Sequence, residues 1–196
     1  MPRFTWEASV SSQLATKEYW FMKRYFSQLV WIMLLLFTCL NTRAADKLTI
    51  TIGNQTITAW RTADLESAKK EAAAEHKAIG WIASSARSVT EPGTIAQSGT
   101  RGATLHAFYA LRNRVVLVFE DGFAENHQVL QLVDDAIHTP NHNPTLPVVV
   151  FLNPDATEVL AKVTFEPDFV KRAHALADAL DQVKARMNAI PEASKK

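Results

Sequence analysis

The stretch LPVVVFLNPD, residues 146–155, decides the fold of this chain. Val148 to Leu152 is a short apolar run, rich in β-branched residues, that follows a proline and precedes an Asn-Pro-Asp turn sequence. Such a run is typical of a strand that is buried on both faces of a sheet. Residues 158–163 are expected to return after the turn as the second arm of a hairpin. The stretch therefore predicts a β-sheet with a covered interior strand.

The rest of the chain alternates between strand and helix patterns. Residues 47–60 alternate apolar and polar side chains around Gly53-Asn54, which predicts a hairpin. The other predicted strands are 78–83 and 114–120, and the predicted helices are 64–77 with Asp64 as its cap, 103–113, 123–137 and 168–188. Between them, residues 84–102 are rich in Ser, Thr, Gly and Pro and predict one long irregular loop. This order of elements indicates a single α/β domain.

Composition narrows the class of protein. The chain has 196 residues, of which 47% are hydrophobic and 21% charged, so it can bury a core and is not a disordered chain. A formal net charge of +1 gives no global attraction to nucleic acid or to acidic membranes. Arg101, Arg112 and Arg114 are interpreted as solvated charges around a helix, not as a nucleic-acid site. No cofactor is predicted.

The beginning of the chain has the pattern of a secretory signal. Lys23 and Arg24 precede an apolar run over residues 29–40, and Thr42-Arg43-Ala44 has the small residues of a cleavage site. We expect residues 22–44 to be a signal peptide, with Met22 as the initiator and 1–21 as an upstream extension. The predicted location is periplasmic or extracellular, with no membrane contact after cleavage. An uncleaved anchor is the alternative that the sequence leaves open.

The single cysteine of the chain lies inside this predicted signal. Phe37, two places before Cys39, fits a bacterial lipidation signal poorly. Because Cys39 precedes the predicted cleavage site after Ala44, cleavage would leave a domain over residues 45–190 and a polar tail over 191–196, both without cysteine. From residue 45 onward there are 16 Lys plus Arg and 18 Asp plus Glu, a net charge of −2. An intramolecular disulfide and an all-cysteine metal cluster are both excluded.

Three stretches carry a resemblance to the thioredoxin superfamily. Residues 59–60, 64–72 and 77–81, which read AW, DLESAKKEA and KAIGW, are similar to the opening helix and first core strand of exported thioredoxin-like proteins. Residues 146–155 resemble the family's proline-strand-turn segment, and the closing helix agrees. The resemblance implies a thioredoxin-like three-layer sandwich, with a mixed central sheet flanked by helices. It also implies that Pro147 follows a cis peptide bond.

The family's Cys-x-x-Cys pair is missing from this chain. The positions after the first core strand read SSARSV, residues 84–89, in which Ser85 and Ser88 have the spacing of the two thiols. Thiol-disulfide exchange requires a thiolate that attacks and a thiol that resolves the mixed disulfide, and serine supplies neither. The resemblance therefore implies a binding surface at Ser85, Ser88, Leu146 and Pro147 for a protein or extended peptide of the cell envelope, without redox activity.

Two other kinds of chemistry stay open at this point. A non-thiol enzyme could use a polar pocket at the vacated position, although no nucleophile-elbow sequence surrounds the serines. His138 and His142 could begin a metal site, which would need three or four ligands, and His106 and His127 are the other histidines that could approach the same place. Glu120 and Asp121 are interpreted as groups that satisfy the end of a strand.

Overall fold

The computed structural model of the protein describes residues 47–122, 129–138 and 144–189. The predicted upstream extension (1–21), signal peptide (22–44) and tail (191–196) lie outside the described residues, as do His127 and His142. Within the described ranges, no helix combines the length and the hydropathy that crossing a membrane requires.

Six strands of the described chain form one mixed sheet with the order β1-β2-β4-β3-β5-β6. The strands are β1 (Leu48–Ile52), β2 (Gln55–Arg61), β3 (Ile79–Ser84), β4 (Val116–Asp121), β5 (Val148–Leu152) and β6 (Val159–Val163). The pairs β2–β4 and β3–β4 are parallel, whereas β1–β2, β3–β5 and β5–β6 are antiparallel. The sheet therefore confirms the predicted hairpins at both of its edges.

Helices cover both faces of the sheet. They are α1 (Leu65–Glu75), α2 (Arg87–Thr90), α3 (Thr100–Leu111), α4 (Gln131–Ile137) and α5 (Phe169–Ala189). The core on one face joins α3 and α5 to the sheet and contains Ile82, Phe119, Phe151, Phe108 and Leu176. The core on the other face joins α1 and α4 to the sheet and contains Trp81, Val118, Val150, Ala72 and Val133. Side chains alternate between the two cores along each interior strand, as the pleat of a sheet requires.

The prediction of one irregular loop over residues 84–102 is wrong in part. Ser84 is the last residue of β3, α2 is a helical turn inside the segment, and α3 begins at Thr100. The turn is held by a contact that its own sequence does not show, because the amide of Ala86 donates to Asp121 Oδ1 at 3.1 Å. Residues 91–99 are the part that is irregular, and we call them the 91–99 loop.

The predicted cap of the first helix is also wrong in its chemistry. Asp64 occupies the position before α1, but its side chain makes no capping hydrogen bond. The chain enters α1 through a 3₁₀ turn, Thr62–Asp64, and the amide of Leu65 donates to the backbone oxygen of Thr62. A tighter turn of this kind supplies a partner for a helix-end amide and so replaces the side-chain cap.

Candidate binding groove

A groove lies at one end of the central strands, where β3 and β4 end and β5 begins. Ser84 and Asp121 are paired at the ends of the two parallel strands, and Ala83 is paired with Val148 at the start of β5. The groove has a volume of about 870 Å³. Its lining includes Ser85, Ser88, Arg101, Glu120, His138 and Leu146. The topology thus brings together residues that are far apart in the sequence.

Ser85 and Ser88 face each other across one helical turn. The amide of Ser88 donates to the Ser85 carbonyl at 2.9 Å, and the two hydroxyl oxygens are 3.5 Å apart. Ser88 is buried, with 4% of its surface exposed, whereas Ser85 is half-buried. The pair therefore has one accessible and one covered hydroxyl at the two positions that the resemblance implied.

The peptide bond between Leu146 and Pro147 is cis, as expected from the resemblance. Pro147 is buried, and Leu146 is half-buried and lines the groove. The β3–β5 ladder ends at the Ala83–Val148 pair, so the backbone of Thr145 and Leu146 lies beyond the paired strands. The structure therefore places three of the four predicted site residues, Ser85, Ser88 and Leu146, in the lining of one groove, whereas Pro147 is buried and is not part of the lining.

A buried carboxylate lies in the same lining. Glu120 has 4% of its surface exposed, and its Oε2 accepts a hydrogen bond from Trp81 Nε1 at 2.6 Å. Its neighbour Asp121 accepts from the amide of Ala86, which fits the interpretation that it satisfies the end of a strand. Glu120 was missed as a groove residue. An available signal was its position in a run of Val, Leu and Phe, since a carboxylate is rarely buried unless it is paired.

His138, the residue that follows α4, lies beside a carboxylate of that helix. Its Nδ1 lies 2.7 Å from Asp134 Oδ1, one turn earlier, and both residues line the groove. In the part of the chain that the structure describes, no group of three or more His, Cys, Asp and Glu side chains is placed to hold a metal ion. The predicted partner ligand His142 lies outside the described residues, so the pairing of the two histidines stays a prediction.

The expectation that His106 approaches this groove is wrong. His106 is buried on the other side of α3, where its Nδ1 accepts a hydrogen bond from Arg172 Nε at 3.0 Å. Its ring stacks on Phe169 with ring centres 4.6 Å apart. The burial of His106 follows from the packing of α3 against α5, which local sequence does not reveal.

Of the three arginines that form a basic group in the sequence, Arg101 is separated from the other two in the structure. Arg101 lines the groove and binds the Glu91 carboxylate, while its Nη1 donates to the Pro92 carbonyl at 3.1 Å. Arg112 lies at the other end of α3, with its guanidinium over the Tyr109 ring at 3.6 Å. Arg114 is exposed. The described contacts therefore contain no continuous basic surface made by these three residues.

The 91–99 loop is fastened along its length by two arginines. Arg101 holds its beginning, and Arg172 Nη2 donates to the carbonyls of Ile95 at 2.8 Å and Gln97 at 3.4 Å. Gly102 allows the loop to lie close to α3, because a Cβ there would be 2.2 Å from the Gln97 oxygen. Of residues 91–99, all of which the structure describes, Gly99 is the one that lines the groove. The loop thus forms part of the rim of the groove.

Comparison of the chain with protein-family models and with curated proteins found no match in either set.

Proposed function

We propose that residues 45–190 form a thioredoxin-like domain that has lost redox chemistry, and that it binds an extended segment of another protein in the groove. The observation that carries the proposal is that the facing Ser85–Ser88 pair and Leu146, next to a cis-proline bond, line the same groove. A mixed sheet with helices on both faces supports the same reading. Hydroxyls at these positions keep the shape of a dithiol site and supply no thiolate.

The groove has the features that binding of an extended peptide requires. The backbone of Thr145 and Leu146 lies beyond the last pair of the β3–β5 ladder, so a peptide can add to it as a short strand. Leu146, Val129 and Ile137 contribute apolar surface to the lining, which suits one buried side chain of the peptide. The backbone thus contributes affinity and the apolar surface contributes selectivity.

The proposed partner is a protein or extended peptide of the cell envelope. The signal pattern of residues 22–44 supports a periplasmic or extracellular location, with the anchored form as its alternative. The net charge of −2 from residue 45 onward argues against nucleic acid as the partner. No cofactor is part of the proposal.

The test is an array of overlapping peptides from envelope proteins, probed with the domain and with two tryptophan variants. Ser85→Trp places a large ring at a half-buried position of the groove and is expected to abolish the binding pattern. Thr49→Trp, on the exposed side of β1, is the matched control and is expected to keep it. An unchanged pattern with Ser85→Trp would refute binding in the groove.

A non-thiol enzyme is the second candidate, favoured by the polar residues that share the groove. Ser85 and Ser88 line it together with the oriented His138–Asp134 pair. Among the described contacts, however, His138 makes no hydrogen bond to either serine, whereas an activated nucleophile needs a base within reach. A fluorophosphonate probe distinguishes the candidates: labelling that Ser85→Ala or Ser88→Ala removes would establish the enzyme.

A further inference from the structure

Arg172 is a buried cation whose donors connect three separate parts of the chain. Only 3% of its surface is exposed. Its Nε donates to His106 on α3, its Nη1 to the Glu166 carbonyl at 2.9 Å and the Pro167 carbonyl at 3.2 Å, and its Nη2 to the 91–99 loop. Because the guanidinium is planar and rigid, its nitrogens move together. Any force that displaces Nε therefore also displaces the hydrogen bonds that hold the loop.

The contact with His106 exists only while the imidazole is neutral. Arginine has donors and no acceptor, so Nδ1 of His106 must carry a lone pair and its proton must lie on Nε2. Protonation at Nδ1 would remove the acceptor and place two positive charges about one hydrogen-bond length apart. The hydrogen bond would become a repulsive contact.

The charged groups around His106 come from α3, from α5 and from the segments next to these helices. Arg172 of α5 is in direct contact. Glu166 and Asp168, in the segment before α5, act on Arg172. Burial lowers the pKa of Arg172, and these two carboxylates partly oppose that change. Arg112 and Arg114, with Tyr109, line a cavity that reaches His106 from the far end of α3. At the start of α3, Arg101 is bound to Glu91 of the loop. Burial, and then the charge of Arg172, lower the pKa of His106 below its ordinary value of 6.5.

We propose that the Arg172–His106 contact is a pH-sensitive device that holds the rim of the groove at neutral pH and releases the 91–99 loop in acid. Gly99 of this loop lines the groove, and Glu91 holds Arg101, which also lines it. Release therefore weakens peptide binding. This consequence for binding rests on the proposed function, whereas the movement of the loop does not.

Amide hydrogen exchange tests the device without any ligand. The amide of Gln97 donates to the Thr94 carbonyl at 3.2 Å, so its exchange reports the order of the loop. After correction for the intrinsic effect of pH, we expect its exchange to accelerate by about tenfold between about pH 7.5 and about pH 5. His106→Asn supplies a neutral acceptor near the Nδ1 position at both pH values and should abolish the acceleration.

The controls separate His106 from the other titrating groups and this inference from the proposed function. His174→Gln removes an exposed histidine of the same helix as Arg172 and should leave the acceleration intact. An NMR titration of the His106 ring supplies a second measurement in the unmodified domain, and its midpoint must match that of the loop. Unchanged exchange in acid, or midpoints that differ, would overturn the inference. Failure of the peptide array with a normal exchange response would reject the proposed function and keep the device.

Discussion

Replacing Arg172 with methionine removes the hydrogen bonds of the buried guanidinium while keeping a side chain of similar length. Five acceptors lose their donor: His106 Nδ1 and the carbonyls of Glu166, Pro167, Ile95 and Gln97. Pro167 and Gln97 are exposed residues, so water can replace the lost donor at their carbonyls. The three acceptors on covered residues each lose about 1 kcal/mol. We therefore expect Arg172→Met to lower the free energy of unfolding by about 3 kcal/mol.

Urea unfolding at neutral pH measures this loss. With a slope of about 2 kcal/mol per molar urea, the midpoint should fall by about 1.5 M. Arg186→Met is the matched control on the same helix. Arg186 Nη1 donates to the Val159 carbonyl at 2.8 Å and the Leu160 carbonyl at 3.1 Å, but its side chain is 55% exposed. Because the Arg186 side chain is largely in water, its hydrogen bonds contribute little, and the expected loss is below about 1 kcal/mol. Equal losses in the two variants would refute the importance of the buried network.

Three further predictions concern the serine pair, the loop and pH. The Ser85→Cys/Ser88→Cys double variant should form an intramolecular disulfide and gain insulin-reducing activity, because the turn closed by the Ser88 amide keeps the two Cα atoms within about 7 Å. Gly102→Ala should lower the free energy of unfolding by about 1 to 3 kcal/mol, since the new Cβ would meet the Gln97 oxygen at 2.2 Å. Because folding lowers the pKa of His106, the neutral imidazole contributes to stability fully above pH 6.5, and this contribution is lost as the pH falls below that value. Urea unfolding at several pH values measures the loss.

Each of these predictions has a result that would contradict it. Free thiols that persist in the double variant under air oxidation would show that the serine pair does not have dithiol geometry. Gly99→Ser adds a Cβ where no atom lies within 4 Å, so a loss as large as that of Gly102→Ala would argue against steric conflict. His106→Asn should remove the part of the pH dependence of the free energy of unfolding that lies above the range in which carboxylates titrate. An unchanged pH profile of stability would exclude His106 as the source of that dependence.

The elements that the sequence predicts best are those whose signal is local. Val148–Leu152 is the strand predicted, residue for residue, because an unbroken apolar run bounded by proline and a turn has one consistent interpretation. The hairpin around Gly53 is also confirmed, and Gly53 takes a positive φ of 59° that glycine adopts without strain. Short elements such as α2 were missed, since a single turn depends on the contact that Asp121 provides from another strand.

The site was predicted in part for the same reason. Ser85 and Ser88 were implied by the family resemblance, and their facing geometry is a property of one turn. Glu120 lines the same groove, and its carboxylate is held by Trp81, 39 residues earlier, through a contact that no periodicity encodes. His106 was expected in the groove because sequence order says little about which side of a helix packs on its neighbour. The structure places it instead against Arg172, 66 residues later.

By itself, the sequence determined the order of the six strands and of the four longer helices, and the lack of cysteine from residue 45 onward, because these depend on residue identity and local periodicity. Only the tertiary structure decided that the ends of β3 and β4 and the start of β5 share a groove, and that Arg172 fastens a loop 77 residues before it. Side chains so distant in the chain meet only when register and helix packing bring them together. Burial then makes these contacts important for stability, because polar groups that are removed from water need hydrogen-bond partners.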